Sequence, residues 1–106
     1  MFVAMNNFKV VAGREEEFEA RWRDRETYLD QVPGFLRFAL LKGESDGEYI
    51  SHTTWESRQA FEDWTKSEAF TMGHRQGGSM AGTLSTHPEL RFFEAILVQH
   101  AGAALA

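Results

Sequence analysis

Asn6, Arg25, Trp64 and His74 are the side chains of this sequence whose types and spacing could do chemistry. Asn6 falls in the middle of the apolar segment FVAMNNFKVV. Asparagine is disfavoured in strands, and a polar side chain pointing from a strand into a core needs a partner. If the even positions face the helices, Phe2, Ala4, Phe8 and Val10 form an apolar lining around Asn6. Arg25 falls on the stripe of Phe18, Trp22 and Leu29. A buried guanidinium needs an anion, either an internal carboxylate or the carboxylate of a ligand. Trp64 and His74 stand ten residues apart across an expected helix break. Singly, each has a plainer reading: a tryptophan at helical spacing as core, a histidine as a surface or hydrogen-bonded residue, an asparagine at a sheet edge. Together they are harder to account for as packing alone.

The composition removes several other kinds of chemistry. The chain has no cysteine, which excludes disulfides, thiolate metal sites and cysteine catalysis. Its net charge of −5 and the absence of any run of Lys or Arg argue against nucleic acid as a partner. No acid/base pair of carboxylates and no flavin or nicotinamide fingerprint is evident. The N-terminal segment does not have the pattern of a signal peptide. No stretch approaches the ~18 apolar residues of a membrane span, so a soluble cytoplasmic protein is expected.

These residues need elements to position them. The 106 residues suffice for one domain over 1–106. Phe2 to Val11 reads as a first strand, closed by Gly13. Residues 14–31 read as an amphipathic helix, stopped by Val32-Pro33-Gly34. Phe35 to Leu41 is a second strand, with Phe35, Arg37, Ala39 and Leu41 expected on one face and Leu36, Phe38 and Leu40 on the other. A turn over 42–47 leads to a third strand, Glu48 to Trp55. Ser57 should cap a helix holding Ala60, Phe61 and Trp64, and Ser67 a shorter one holding Phe70 and His74. Periodicity is lost over about 75–89, where a mobile loop is expected. A last strand runs from Leu90 to Gln99, and the tail 101–106 is expected to fray. The order β-α-β-β-α-β is an α+β, ferredoxin-like plan with a four-stranded antiparallel sheet. Helices cover one face of such a sheet. The nine Phe and three Trp exceed what one face can bury, so a homodimer packed sheet to sheet is expected.

The segments NNFKVVAGREEEFEARW, PGFLRFALLKG and TTWESRQAFEDWTKS, with the pair Trp64…His74, resemble the IsdG-type heme-degrading monooxygenases of the antibiotic biosynthesis monooxygenase superfamily. The resemblance spans residues 2 to about 99. The PGF strand start and the W-E-S-x-x-A-F-x-x-W run are signals of the superfamily and its dimeric α+β barrel. The strand Asn, the helix Trp and a His ten residues later are the more specific combination.

The resemblance implies that heme is both substrate and cofactor, with O2 and electrons from an external reductase. It implies His74 as the axial ligand to heme iron, Trp64 as a wall that bends the porphyrin, and Asn6 as a hydrogen-bond donor beside the distal oxygen site. Asn7 would point the other way by strand alternation. Arg25 matches a position near the heme pocket, while His52, His87 and His100 are expected to be surface or strand residues, with His87 on a loop from which it could swing into the site. Two other functions fit the same fold. One is a cofactor-free monooxygenase forming quinones, which needs no axial His. The other is a non-enzymatic dimeric barrel that binds a small ligand or serves in a stress response.

Overall fold

The computed structural model describes residues 1–77 and 82–101, with side chains to 75 and again from 82. The element order is β1 (Phe2–Lys9), α1 (Glu15–Arg23), a single 3₁₀ turn (Leu29–Gln31), β2 (Phe35–Lys42), β3 (Glu48–Trp55), α2 (Arg58–Thr65), α3 (Glu68–Gly77) and β4 (Glu89–Glu94). The sheet order is β2-β3-β1-β4, all neighbours antiparallel. This is the expected ferredoxin-like α+β plan. Among the described residues no helix is long and apolar enough to cross a membrane.

Alternation along β1 sorts its side chains. Phe2, Ala4 and Phe8 are buried on the helix side, with Val10 just beyond the strand. Two adjoining clusters fill that side. One gathers Phe2, Ala4, Leu29, Trp55 and Phe61; the other gathers Phe8, Val10, Phe18 and Tyr49. Phe18 is wholly buried, worth about 1.5–3 kcal/mol against an exposed ring. Tyr49, almost wholly buried, donates its hydroxyl to Glu19 on α1. The Lys42 ammonium donates to the same carboxylate at 3.2 Å. These two bonds hold Glu19 below the ordinary carboxyl range, while burial and that carboxylate push the Tyr49 phenol up.

Both expected caps are present. Ser57 Oγ accepts from the Ala60 amide at 3.1 Å, and Ser67 Oγ from the Phe70 amide at 3.2 Å. Gly34 explains the PGF signature. Its φ is +81°, and a Cβ there would stand 2.5 Å from the Cβ of Ala60, so only glycine lets β2 start beneath α2.

Several boundaries differ from expectation. The first strand ends at Lys9, and Val10 makes only an isolated bridge to Leu84. The helix expected over 14–31 ends at Arg23. Leu29 must enter the cluster of Trp55 and Phe61, and it does so from a 3₁₀ turn after Tyr28 takes a left-handed φ of 60°. Arg25 therefore lies outside the helix.

In β2 the register shifts between Phe35 and Arg37. Strict alternation fails across that bulge, so Phe35 packs on the core side together with Phe38 and Leu40. The last strand ends at Glu94, not Gln99, because its partner runs out: Glu94 pairs with Phe2, and the Ala95 amide reaches Met1 O. Helix α3 continues through Gly77, which removes its first residues from the expected loop. Part of that loop (78–81) and the tail 102–106 lie outside the described residues.

Candidate functional site

A cavity of about 450 Å³ opens between the helix side of the sheet and α2 and α3, and its lining includes Asn6, Arg25, Trp64 and His74. The fold therefore brings all four candidate residues to one place. The size is that of an ordinary small-molecule pocket. Its floor comes from β1 and β3, where Asn6 pairs with Ser51. Its walls are aromatic: Trp22, Phe38, Phe61, Trp64 and Phe70.

Asn6 sits between buried Ala4 and buried Phe8, as alternation requires. Its amide oxygen is buried and has no hydrogen-bond partner. Leaving such an atom unpaired costs about 1–3 kcal/mol, a cost that a ligand group in the cavity would remove. Asn7 is on the opposite face, in register with Ile50, and does not line the cavity.

Arg25 reaches the cavity from the irregular segment after α1. Its guanidinium lies 4.1 Å from the Trp22 ring centroid, and its Nε is buried and unpaired. Burial lowers its pKa from the ordinary arginine value, yet arginine stays charged at neutral pH. All 16 Asp and Glu lie among the described residues, and none forms a salt bridge with Arg25. The internal carboxylate that the sequence allowed for this guanidinium is not there, so the anion-binding role is open to a ligand.

Trp64 packs against Trp55 (ring centroids 5.2 Å), Phe61 (5.9 Å) and Phe70 (4.8 Å), and stands 6.2 Å from the His74 ring. It is half-buried: one side is core, the other is cavity wall. His74 lies at the exposed mouth, one turn from Phe70 on α3, with its ring 4.0 Å from the Phe70 ring. Its Nδ1 is 2.8 Å from the Phe70 carbonyl oxygen. A carbonyl can only accept, so Nδ1 carries the proton and the neutral ring keeps its lone pair on Nε2. That tautomer leaves Nε2 free to ligate a metal, and the Nδ1 bond fixes the ring's orientation. Among the described residues no three of His, Asp and Glu gather around a possible bare metal ion. His74 is thus suited to a metal that brings its own remaining ligands.

The other histidines do not join the site. His52 is on β3 in register with Met5, on the face away from the cavity, and His87 and His100 are exposed. Sequence reasoning missed the part played by Phe70, which both stacks on His74 and accepts from it. The signal was present in their i, i+4 spacing on one helix. It also missed Phe38 as a cavity wall: alternation groups Phe38 with Leu40 but does not say where along that face the cavity opens.

The family model described as antibiotic biosynthesis monooxygenase matches residues 1–76. Over 100 residues the chain is 37% identical to the heme oxygenase (mycobilin-producing) of Mycobacterium tuberculosis, covering 90% of this chain and 89% of that one. It is 28% identical over 83 residues to a heme-degrading monooxygenase of Bacillus thuringiensis, covering 76% and 77%. The solved structure of the heme-degrader MhuD from Mycobacterium tuberculosis, with two hemes bound in its active site, matches with a TM-score of 0.74 at 32% identity, covering 94% of this chain and all of that one.

Proposed function

The chain belongs to the antibiotic biosynthesis monooxygenase family, and from that premise we propose that it is a heme-degrading monooxygenase, an oxidoreductase that takes heme as both substrate and cofactor. Bound heme supplies an iron that activates O2 and the porphyrin ring that is opened, with electrons from an external reductase and release of the iron.

The residues fit this ligand. A planar apolar body suits a cavity walled by Trp22, Phe38, Trp64 and Phe70. His74, held in that tautomer by the Phe70 carbonyl, would ligate the heme iron through Nε2. Arg25, half-buried with its Nε unpaired and no ion pair, would receive a propionate carboxylate. Asn6 brings an amide with an unpaired oxygen to the sheet side of the cavity, where it would serve as a polar partner to the bound heme. Trp64 is backed by Trp55 and Phe61 and cannot retreat, so its indole would be the rigid wall against which a bound porphyrin packs. The observation that carries the reading is the fixed tautomer of a lone histidine at the mouth of an aromatic cavity. The 37% identity to a heme oxygenase over nearly the whole chain supports it.

Hemin titration tests it. A Soret shift saturating with a defined stoichiometry, followed by loss of the heme chromophore with reductant and O2, is the expected result. No Soret change, with oxygen consumed on a phenolic substrate, would replace this reading by the cofactor-free monooxygenase. Binding of small ligands with neither reaction would leave a non-enzymatic barrel.

The working form is a homodimer. The sheet face away from the helices carries Val3, Met5 and Ile50 at its centre, with Leu41 and Phe93 more than a third exposed. On that same face the Asn7 amide oxygen and His52 Nδ1 are buried without partners. A second copy packed face to face buries the apolar centre and supplies those partners. Light scattering should give twice the chain mass at micromolar concentration, and a monomer there would exclude this assembly.

A further inference from the structure

We propose that Gly73 is a positioning residue, and that its contact with the Thr27 carbonyl sets the width of the pocket between His74 and Arg25. The inference rests on the heme reading above and concerns how the chain holds its two ends of the site apart. Gly73 is buried on α3 immediately before His74. A Cβ built there would stand 3.1 Å from the Thr27 carbonyl oxygen and 3.5 Å from the Thr27 Cα. Gly73, His74, Thr27 and Arg25 all line the cavity. A glycine within a helix costs about 1 kcal/mol against alanine. Here it lets the helix bearing the iron ligand lie directly on the segment bearing the propionate partner.

That segment is poorly able to yield. Tyr28, the next residue, holds φ 60° and ψ 12°, a left-handed conformation that a bulky side chain rarely adopts. Its amide donates to the Glu26 carboxylate at 3.0 Å, and the Leu29 amide donates to Thr27 Oγ1 at 3.4 Å. Leu29 itself is anchored in the core. The Thr27 carbonyl is therefore fixed on one side and α3 is seated against it on the other. Any side chain at 73 must widen the gap, carrying His74 outward from Arg25.

Hemin binding by purified Gly73→Ala tests this, read by the ferric Soret position and by affinity. The expected result is a displaced Soret band and hemin held more weakly by on the order of ten-fold, the low end of the roughly 10–100-fold cost of disturbing what positions a metal ligand. Gly73→Val should enlarge both changes. Adding Tyr28→Gly to Gly73→Ala frees the Thr27 carbonyl to retreat and should move the band back towards wild type, which a merely structural role would not produce. If Gly73→Ala does not fold, Tyr28→Gly alone is used. It adds no bulk, and it should weaken hemin binding several-fold by loosening the same contact.

Wild-type spectrum and affinity in Gly73→Ala, or in Tyr28→Gly used in its place, would overturn the positioning role while leaving the heme reading intact. Failure of the wild-type chain to bind hemin would overturn the heme reading itself.

Discussion

Replacing His74 by Ala is expected to remove normal ferric-heme ligation and to lower turnover by more than about 100-fold. Loss of a residue that merely orients a ligand costs 10–100-fold, and His74 is the proposed ligand. The fold should survive. His74 is exposed at the cavity mouth, and its hydrogen bond goes to a helix carbonyl one turn away. Exposed substitutions of this kind usually stay within about 0.5 kcal/mol. The variant should therefore melt close to wild type while its heme spectrum changes. Added imidazole should restore part of the ligated spectrum, because the cavity that presents the iron is intact. An unchanged spectrum and rate would mean another group ligates the iron. None of the other histidines is placed to do so, with His52 on the far face and His87 and His100 exposed outside the cavity.

Asn6→Ala should lower turnover by about 100-fold, the usual cost of losing one aimed polar group in a site, while leaving hemin bound with near-normal affinity. Its effect on stability should have the opposite sign. The amide oxygen of Asn6 is buried and unpaired in the free protein. Exchanging it for a methyl group between Ala4 and Phe8 removes a polar atom that the fold does not satisfy, so the melting temperature should hold or rise. Loss of activity with gain of stability is the mark of a residue retained for function. Asn7→Ala is the control. Asn7 faces the other side of the sheet, and its loss should act on dimer stability before turnover. If Asn7 proved the sensitive position for turnover and Asn6 did not, the assignment of Asn6 to the distal site would be wrong.

Much of this arrangement is legible in the sequence alone. The two serine caps, the four strands, the hairpin between β2 and β3, and the inward side of Asn6 follow from local rules, such as side-chain capping and the two-residue repeat of a strand. Trp64 and His74 could be placed on neighbouring helices for the same reason. The α1 boundary was not legible. Nothing in RWRDRETYLD ends a helix by propensity alone, since arginine and glutamate are good helix formers.

The sequence by itself determined the element order, the antiparallel plan, and the residues able to ligate, stack or donate, because each depends on identity and on spacing along one strand or helix. The tertiary structure decided the rest. Leu29 enters the Trp55 cluster and breaks the helix, which carries Arg25 off its expected stripe and on to the ring of Trp22. The β2 bulge puts Phe35 and Phe38 on one side, and β4 stops where β1 has no more residues to pair. Only the fold shows that Arg25 has no carboxylate partner and that Gly73 lies against Thr27. These outcomes depend on which distant side chains compete for the same buried volume, and that competition is settled only when the whole core packs at once.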